Sequence, residues 1–384
     1  MTRNSNLDLL RACAVTMVIL AHLPNAPRDA PPVVVWVADW FHQYGGLGVD
    51  MFFVLSGFLV SGLLFREYLT SGRTNVGRFL IRRGFKIYPA FYVFVISTVA
   101  LRLRVGDTLT SRDIASELLF VQNYGPHVWS HTWSLAVEEH FYLLLAALVF
   151  ALCRWTPEQP FGRIPAIFCL TTIAVFIARA ITNASGPYTG ATHHFPTHLQ
   201  IDALFTGVVL SYYFHNRAGM ASRVRRYAAA LTGIAAACLY LSQALPEPTA
   251  RFLAGHLLTN LGFGLLVLIA VAVPSPRDWF SRFAARIGAQ SYSIYLWHAA
   301  VMGFGSVFVP RLLGRPTTFY ETLVWYVPGS FIAGLVAAKC VEFPALRLRE
   351  RWFPDKQRRA AASEVGVGAG SLQVAGLSEP SRGT

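Results

Sequence analysis

The chain is expected to fold as an all-α, polytopic membrane helix bundle of about ten transmembrane helices, and three observations carry that expectation. Hydrophobic residues make up 54% of the 384 residues and charged residues only 14%, well outside the soluble average. Apolar stretches close to the length needed to cross a bilayer recur along almost the whole chain. The basic residues behind the net charge of +13 sit in short runs between those stretches, which marks membrane topology rather than a continuous nucleic-acid-binding face.

The stretches follow in order. The first, residues 7–24, has a basic flank and an apolar core like a signal peptide, but it lacks a small-x-small cleavage site and carries Asp8, Arg11 and His22, so it is expected to be retained. The second, 46–66, enters through Gly45-Gly46-Leu47-Gly48-Val49-Asp50; the third, 84–103, follows the cationic run Arg82-Arg83-Gly84-Phe85-Lys86. The fourth, 132–153, holds Trp133, Ser134, Glu138, Glu139 and Tyr142. Further spans are expected at 164–182, 198–215 (with Asp202), 226–243, 255–273, 291–310 (with Ser291, Tyr292, Tyr295 and His298) and 321–342. Residues 1–350 would form the transmembrane domain. Residues 351–384, rich in Ala, Gly and Ser from about Asp355, would be a disordered cytoplasmic tail dispensable for chemistry.

Orientation follows from lysine and arginine. With a cytoplasmic N-terminus, roughly 23 of the 33 basic residues lie inside and about 7 outside, so both ends are expected in the cytoplasm. Five cysteines show neither CxxC nor Cys/His ligand spacing; they read as free packing thiols, with no disulfide framework and no metal site. Trp36, Trp40 and Trp325 read as interface anchors.

Polar groups inside apolar spans are costly, at roughly 2.5 to 3.5 kcal/mol per central charge on insertion scales, and mark a chemical or transport site. Arg11 and His22 lie eleven residues apart, about three turns plus 20°, so they share one face at a separation of roughly 16 Å. Asp50 is expected near the depth of His22. His131, Ser134, Glu138 and Tyr142 follow three- and four-residue steps and form one stripe. At the inner face Arg82, Arg83 and Lys86 are placed to hold phosphates, although a positive-inside anchor explains the same charges.

Taken together, these segments resemble the integral-membrane acyltransferase family usually called acyltransferase type 3, over about residues 6 to 345. The matching elements are Leu7-Asp8-Leu9-Leu10-Arg11 followed by His22; the glycine-rich entry to Asp50 continuing into Phe52-Phe53-Val54-Leu55-Ser56-Gly57-Phe58; and the basic run ending in Tyr88-Pro89. Trp133-Ser134-Leu135 with Glu138, Asp202-Ala203-Leu204 with Gly207, Ser291-Tyr292 with His298, and Glu342-Phe343-Pro344 complete them. The paired-arginine pattern of the family's third helix reads Arg83-x-x-Lys86 here, which keeps charge and loses one bidentate donor. No soluble SGNH-type domain follows, so a second transfer step in the same polypeptide is not expected.

The resemblance implies a bacterial inner-membrane enzyme that moves an acyl group, commonly acetyl, from acyl-CoA to a hydroxyl of a sugar-containing acceptor. His22 would be the general base, oriented by Asp50 or Glu138. Arg82, Arg83 and Lys86 would hold the CoA phosphates, with Arg11 lining the path of the pantetheine arm. Trp133, Ser134, Asp202 and His298 are candidate substrate contacts, though Ser134, Ser291, Tyr292, Tyr295 and His298 also read as an interhelical hydrogen-bond network. Asp202 would otherwise pair with His193, His194 or His198. Acyl-CoA enters as a substrate, and no permanently bound cofactor or nucleic acid is expected. The competing readings are a proton-coupled transporter of a polar solute or glycolipid, and a scaffold of envelope assembly.

Overall fold

A computed structural model describes residues 4–354, and among them there are helices and turns but no strand. Asn4 caps α1 (Ser5–Ala21) by accepting hydrogen bonds from the Asn6 and Leu7 amides at 2.9 and 3.4 Å. The helix stops at His22, two residues before Pro24. The next helix, α2 (Pro32–Tyr44), opens on proline, whose missing N–H would be unsatisfied there anyway. α3 (Leu47–Ser71) runs to Gly72 in the left-handed conformation (φ +67°), which glycine adopts without a Cβ penalty. There follow α4 (Val76–Arg104), α5 (Ser111–Leu118, started by the Thr110/Asp113 capping box) and a 3₁₀ turn, Ser130–Thr132, that leads into α6 (Trp133–Trp155).

α7 (Ile164–Ser185) is joined to α8 (Ile201–Asn216) through a π-helical turn at Gly190–His194 and a 3₁₀ turn at Thr197–Leu199. α9 (Met220–Arg226) bends by 77° into α10 (Ala228–Ala244). The short α11 (Pro248–Ala250) and a π-helical turn, Arg251–Gly255, precede α12 (His256–Ala272). The rest comprises α13 (Trp279–Ala289), α14 (Ser291–Leu313), α15 (Phe319–Ala337), a π-helical turn at Ala338–Glu342 and α16 (Phe343–Trp352).

The polytopic helical bundle is therefore as expected, but the span count differs. Among the described residues seven helical stretches are long and apolar enough to cross a bilayer, or eight if the bent α9–α10 pair counts as one. All ten expected stretches coincide with helices; with the bent pair counted as one span, the shortfall of two lies in α1 and α8, with 17 and 16 residues, against about 20 for a full crossing. The expected stretch 7–24 loses its end at His22, and the expected stretch 198–215 loses its start to the 3₁₀ turn Thr197–Leu199. α2, α5 and α13 fall in segments read as connections, because short amphipathic helices lack a spanning-length apolar run. The outer face of α2 exposes Trp36 and Trp40. α16 continues through Trp352, beyond the expected boundary at residue 350, and residues 355–384 of the expected tail lie outside the described residues.

Small residues set the helix crossings around α3. A Cβ on Gly57 would overlap the Leu204 carbonyl of α8, and one on Gly207 would overlap the Val54 carbonyl, so the two backbones touch directly. Gly288 of α13 sits against the Asp8 carbonyl of α1, and Gly334 of α15 against Ile294 of α14. These close approaches fasten α3 to α8, α1 to α13 and α14 to α15, and a Cβ on Gly48 of α3 would likewise overlap the Ala14 carbonyl of α1.

Candidate active site

Between α3, α4, α6, α14 and α16 lies a cavity of about 420 Å³. Its wall extends along α3 from Phe52 to Arg66, roughly 21 Å at 1.5 Å per helical residue. Arg11, Arg66, Arg83, Lys86 and Arg349 line it together with the carboxylates Glu138 and Glu342. Arg83 and Lys86, three residues apart, share the inward face of α4. The Arg83 guanidinium lies 5.9 Å from the Tyr142 ring centre, and the Lys86 ammonium lies 5.8 Å from that of Tyr292. Lys86 is ion-paired with Glu342, which also accepts a 2.7 Å hydrogen bond from Ser293. Glu138 accepts from Tyr142 at 2.5 Å, and the Tyr142 hydroxyl meets Ser56 at 2.7 Å.

Arg82 departs from this arrangement. One residue along the helix from Arg83, it points to α16, pairing with Glu350 at 2.8 Å and donating to the Phe353 carbonyl. Arg11 lines the cavity while paired with Asp8 at 2.9 Å. Arg66 and Arg349 were legible in the sequence only as topology charges, yet they line the same wall.

Beyond the Ser134 end of the cavity stand three histidines. Ser134 and Tyr295 both line the cavity, and their hydroxyls meet at 2.6 Å. The Tyr295 ring lies 5.6 Å from His131 and 5.4 Å from His298. The His298 ring in turn packs edge-on against His131 and His22, with both centroid distances 5.0 Å. Each imidazole has one nitrogen on a backbone carbonyl: His22 Nδ1 on Val18 at 2.8 Å, His131 Nε2 on Leu296 at 3.1 Å, and His298 Nδ1 on Tyr295. A carbonyl only accepts, so that nitrogen bears the proton and the other nitrogen of a neutral ring carries a free lone pair. The free nitrogen is Nε2 in His22.

This differs from the expected orientation of His22 by a carboxylate. Neither Asp50 nor Glu138 is among its hydrogen-bond partners in the described residues; Glu138 is engaged with Tyr142 in the cavity. Matching depths along separate helices fixes height but not rotation. Likewise the stripe of His131, Ser134, Glu138 and Tyr142 divides, because His131 belongs to the 3₁₀ turn before α6 and faces α14, while the other three line the cavity. His131, read only as part of a stripe, is brought against His298 by the fold.

Asp50 faces elsewhere. It is 5% exposed, its Oδ1 has no hydrogen-bond partner, and it lines a second cavity of about 370 Å³. Asp202 does not pair with His193, His194 or His198. It is held bidentately by Arg179, at 2.9 and 3.0 Å, and receives the Asn260 amide at 3.2 Å. Arg179 is fully buried and also donates to the Leu199 carbonyl at 3.0 Å. A single arginine within an apolar stretch demands a buried partner, which was the available signal. Trp133 lines neither cavity: its ring stacks on Phe195 at 5.3 Å and meets His194 at 4.6 Å. Outside the spans, burial and then the charge of Arg179 lower the His194 pKa to about 4.

Comparison with known proteins adds an independent finding. The family described as "Acyltransferase domain" matches residues 4–340. The O-acetyltransferase OatA of Staphylococcus aureus strain NCTC 8325 is 28% identical over 330 residues, covering 78% of this chain and 50% of that protein. OatA of strain COL gives the same values. The chain thus spans about half the length of the curated relatives it matches. No solved structure matches it.

Proposed function

The chain belongs to the membrane acyltransferase family, and from that premise we propose that it transfers an acetyl group from acetyl-CoA to a hydroxyl of a sugar-containing acceptor in a bacterial cell membrane. The observation that carries the reading is the elongated cavity with cations on its wall and Ser134 and Tyr295 between it and three histidines. Phosphates are best met by Arg and Lys, as bidentate and point-charge partners respectively. Arg66, Arg83, Lys86 and Arg349 supply those charges for CoA, and Arg11 lines the path of the pantetheine arm. Glu342 is then the counter-ion that keeps Lys86 compensated before the donor binds. The cationic end is assigned to the cytoplasm, where CoA is found, with both chain termini on that side.

In the transfer, the unprotonated Nε2 of His22 takes the proton of an acceptor hydroxyl as its oxygen bonds to the thioester carbonyl carbon. The tetrahedral intermediate then collapses, the carbon–sulfur bond breaks, and the departing thiolate recovers the proton from the imidazolium. The Val18 carbonyl holds Nδ1–H throughout and so keeps Nε2 as the basic atom. His298, with its ring against His22, fixes the plane of the base.

The test uses purified full-length protein in lipid nanodiscs with radiolabelled acetyl-CoA and glycans or glycolipids extracted from the host. Wild-type protein should move label into an alkali-labile ester. His22→Ala should lose at least about 100-fold in rate, as expected for removal of a general base, while donor affinity stays within a factor of about two. Near-wild-type turnover in His22→Ala would overturn the assignment of the base; no ester with any extracted acceptor would overturn the transfer reading.

A further inference from the structure

The second cavity sits beside the first, at the histidine end of the bundle. Trp133 forms part of the partition: its ring meets His194, which lines the second cavity, and Phe53, at 5.8 Å, which lines the first. Gly45 packs directly against Ala21, the residue before His22, and the adjacent Gly46 lines the second cavity. Its volume is within the range of small-molecule sites.

The lining is polar in a particular way. Gln43, Gln243 and Thr259 present neutral groups that both donate and accept, while Tyr188 and Phe252 contribute aromatic rings set nearly at right angles to each other. Asp50 and Arg251 contribute one charge of each sign, so the pocket as a whole favours an uncharged guest. The Asp50 carboxylate is buried with an unpartnered oxygen, and a buried acceptor left without a donor is expensive. A hydroxyl group supplies such a donor.

We propose that this second cavity is the acceptor pocket, taking an uncharged, polyhydroxylated ring whose hydroxyls donate to Asp50 and whose C–H groups meet the aromatic rings of Tyr188 and Phe252. The inference rests on the reading of the protein as a transferase acting on sugar hydroxyls. It assigns the body of the acceptor to the second cavity and the donor to the first, the two flanking Trp133, with the reacting hydroxyl meeting the thioester at His22, which follows Ala21 where Gly45 packs.

The experiment has two arms, both on full-length protein in nanodiscs, with methyl glycosides of glucose, rhamnose and N-acetylglucosamine as probes. The first arm is independent of turnover. In a Gln243→Cys variant, the probes should slow maleimide alkylation at position 243 at least about threefold, read peptide by peptide, while leaving alkylation of the exposed Cys169 unchanged. In the second arm, Asp50→Asn and Tyr188→Ala should each raise the KM for the acetylated probe, by about tenfold for Asp50→Asn, where a charge-assisted hydrogen bond becomes a neutral one. Donor affinity should remain within about twofold. No protection by any probe, or equal shifts in donor affinity and acceptor KM, overturns the acceptor pocket. Protection without transfer to any probe keeps the pocket and overturns the sugar-acetylating reading instead.

Discussion

His194 shows how much a single environment decides. The sequence places it in a polar connection between apolar stretches, where an ordinary histidine would titrate near pH 6.5; burial and Arg179 lower it to about 4. Its surroundings are the Trp133 ring, the Gln200 amide, which donates to its carbonyl at 2.8 Å, and the charges or ring nitrogens of Arg179, Asp50 and His256. A folded-state pKa below the unfolded value means that the unfolded segment binds more protons between those values, so stability is present above about pH 6.5 and is lost as pH falls toward 4. Hydrogen exchange of residues 188–194 should therefore accelerate as pH falls across that window, after correction for the intrinsic rate, and His194→Gln should remove the dependence. An unchanged pH profile in the variant would show that another group is responsible. The motif around Trp133 was legible in the sequence, but its contact with His194 joins residues 61 positions apart and required the fold.

At the scale of elements, α4 separates two neighbouring arginines that composition treats alike. Successive residues on a helix diverge by 100°, whereas residues three apart return to one face. Arg83 and Lys86 therefore line the cavity while Arg82 reaches α16. Arg83→Ala and Lys86→Glu are each expected to weaken acyl-CoA binding by at least about tenfold, the loss of one charge-assisted contact. Arg82→Ala should change it by less than about threefold, because its guanidinium serves a surface contact with Glu350. Titration calorimetry on the three purified variants checks the order, and equal losses for all three would reduce the run to a non-specific electrostatic patch. The helical pattern of α4 was readable from sequence; which of its cations looks inward depended on the phase at which the helix docks.

Across the whole molecule, the cationic cavity wall joins the C-terminal part of α3, the N-terminal part of α4 and α16. Those ends must lie on one side of the bundle, since Arg66, Arg83 and Arg349 border one space. With that side cytoplasmic, reporter fusions at the loop around Arg73 and after Trp352 should read cytoplasmic, and a fusion near Gly125, between α5 and α6, should read external. A cytoplasmic signal at Gly125 would reverse or break the topology. The short helices α1 and α8 remain inside the bundle, clamped by Gly48 against the Ala14 carbonyl and by Gly207 against the α3 backbone.

Local composition determined the helical class, the places where apolar helices form, and the cast of polar residues, because a low-dielectric solvent leaves the backbone few ways to satisfy itself and makes every charge conspicuous. It did not determine the ends of α1 and α8, the presence of α2, α5 and α13, or the partners of the polar groups. Those depend on helix rotation and close crossing, which bring Arg179 to Asp202 and His131 to His298, turn Asp50 into a second cavity, and give His22 a carbonyl in place of a carboxylate. Tertiary packing decided these points because a side chain's neighbours across a bundle are set by the azimuth of each helix, a quantity that periodicity within one helix leaves free.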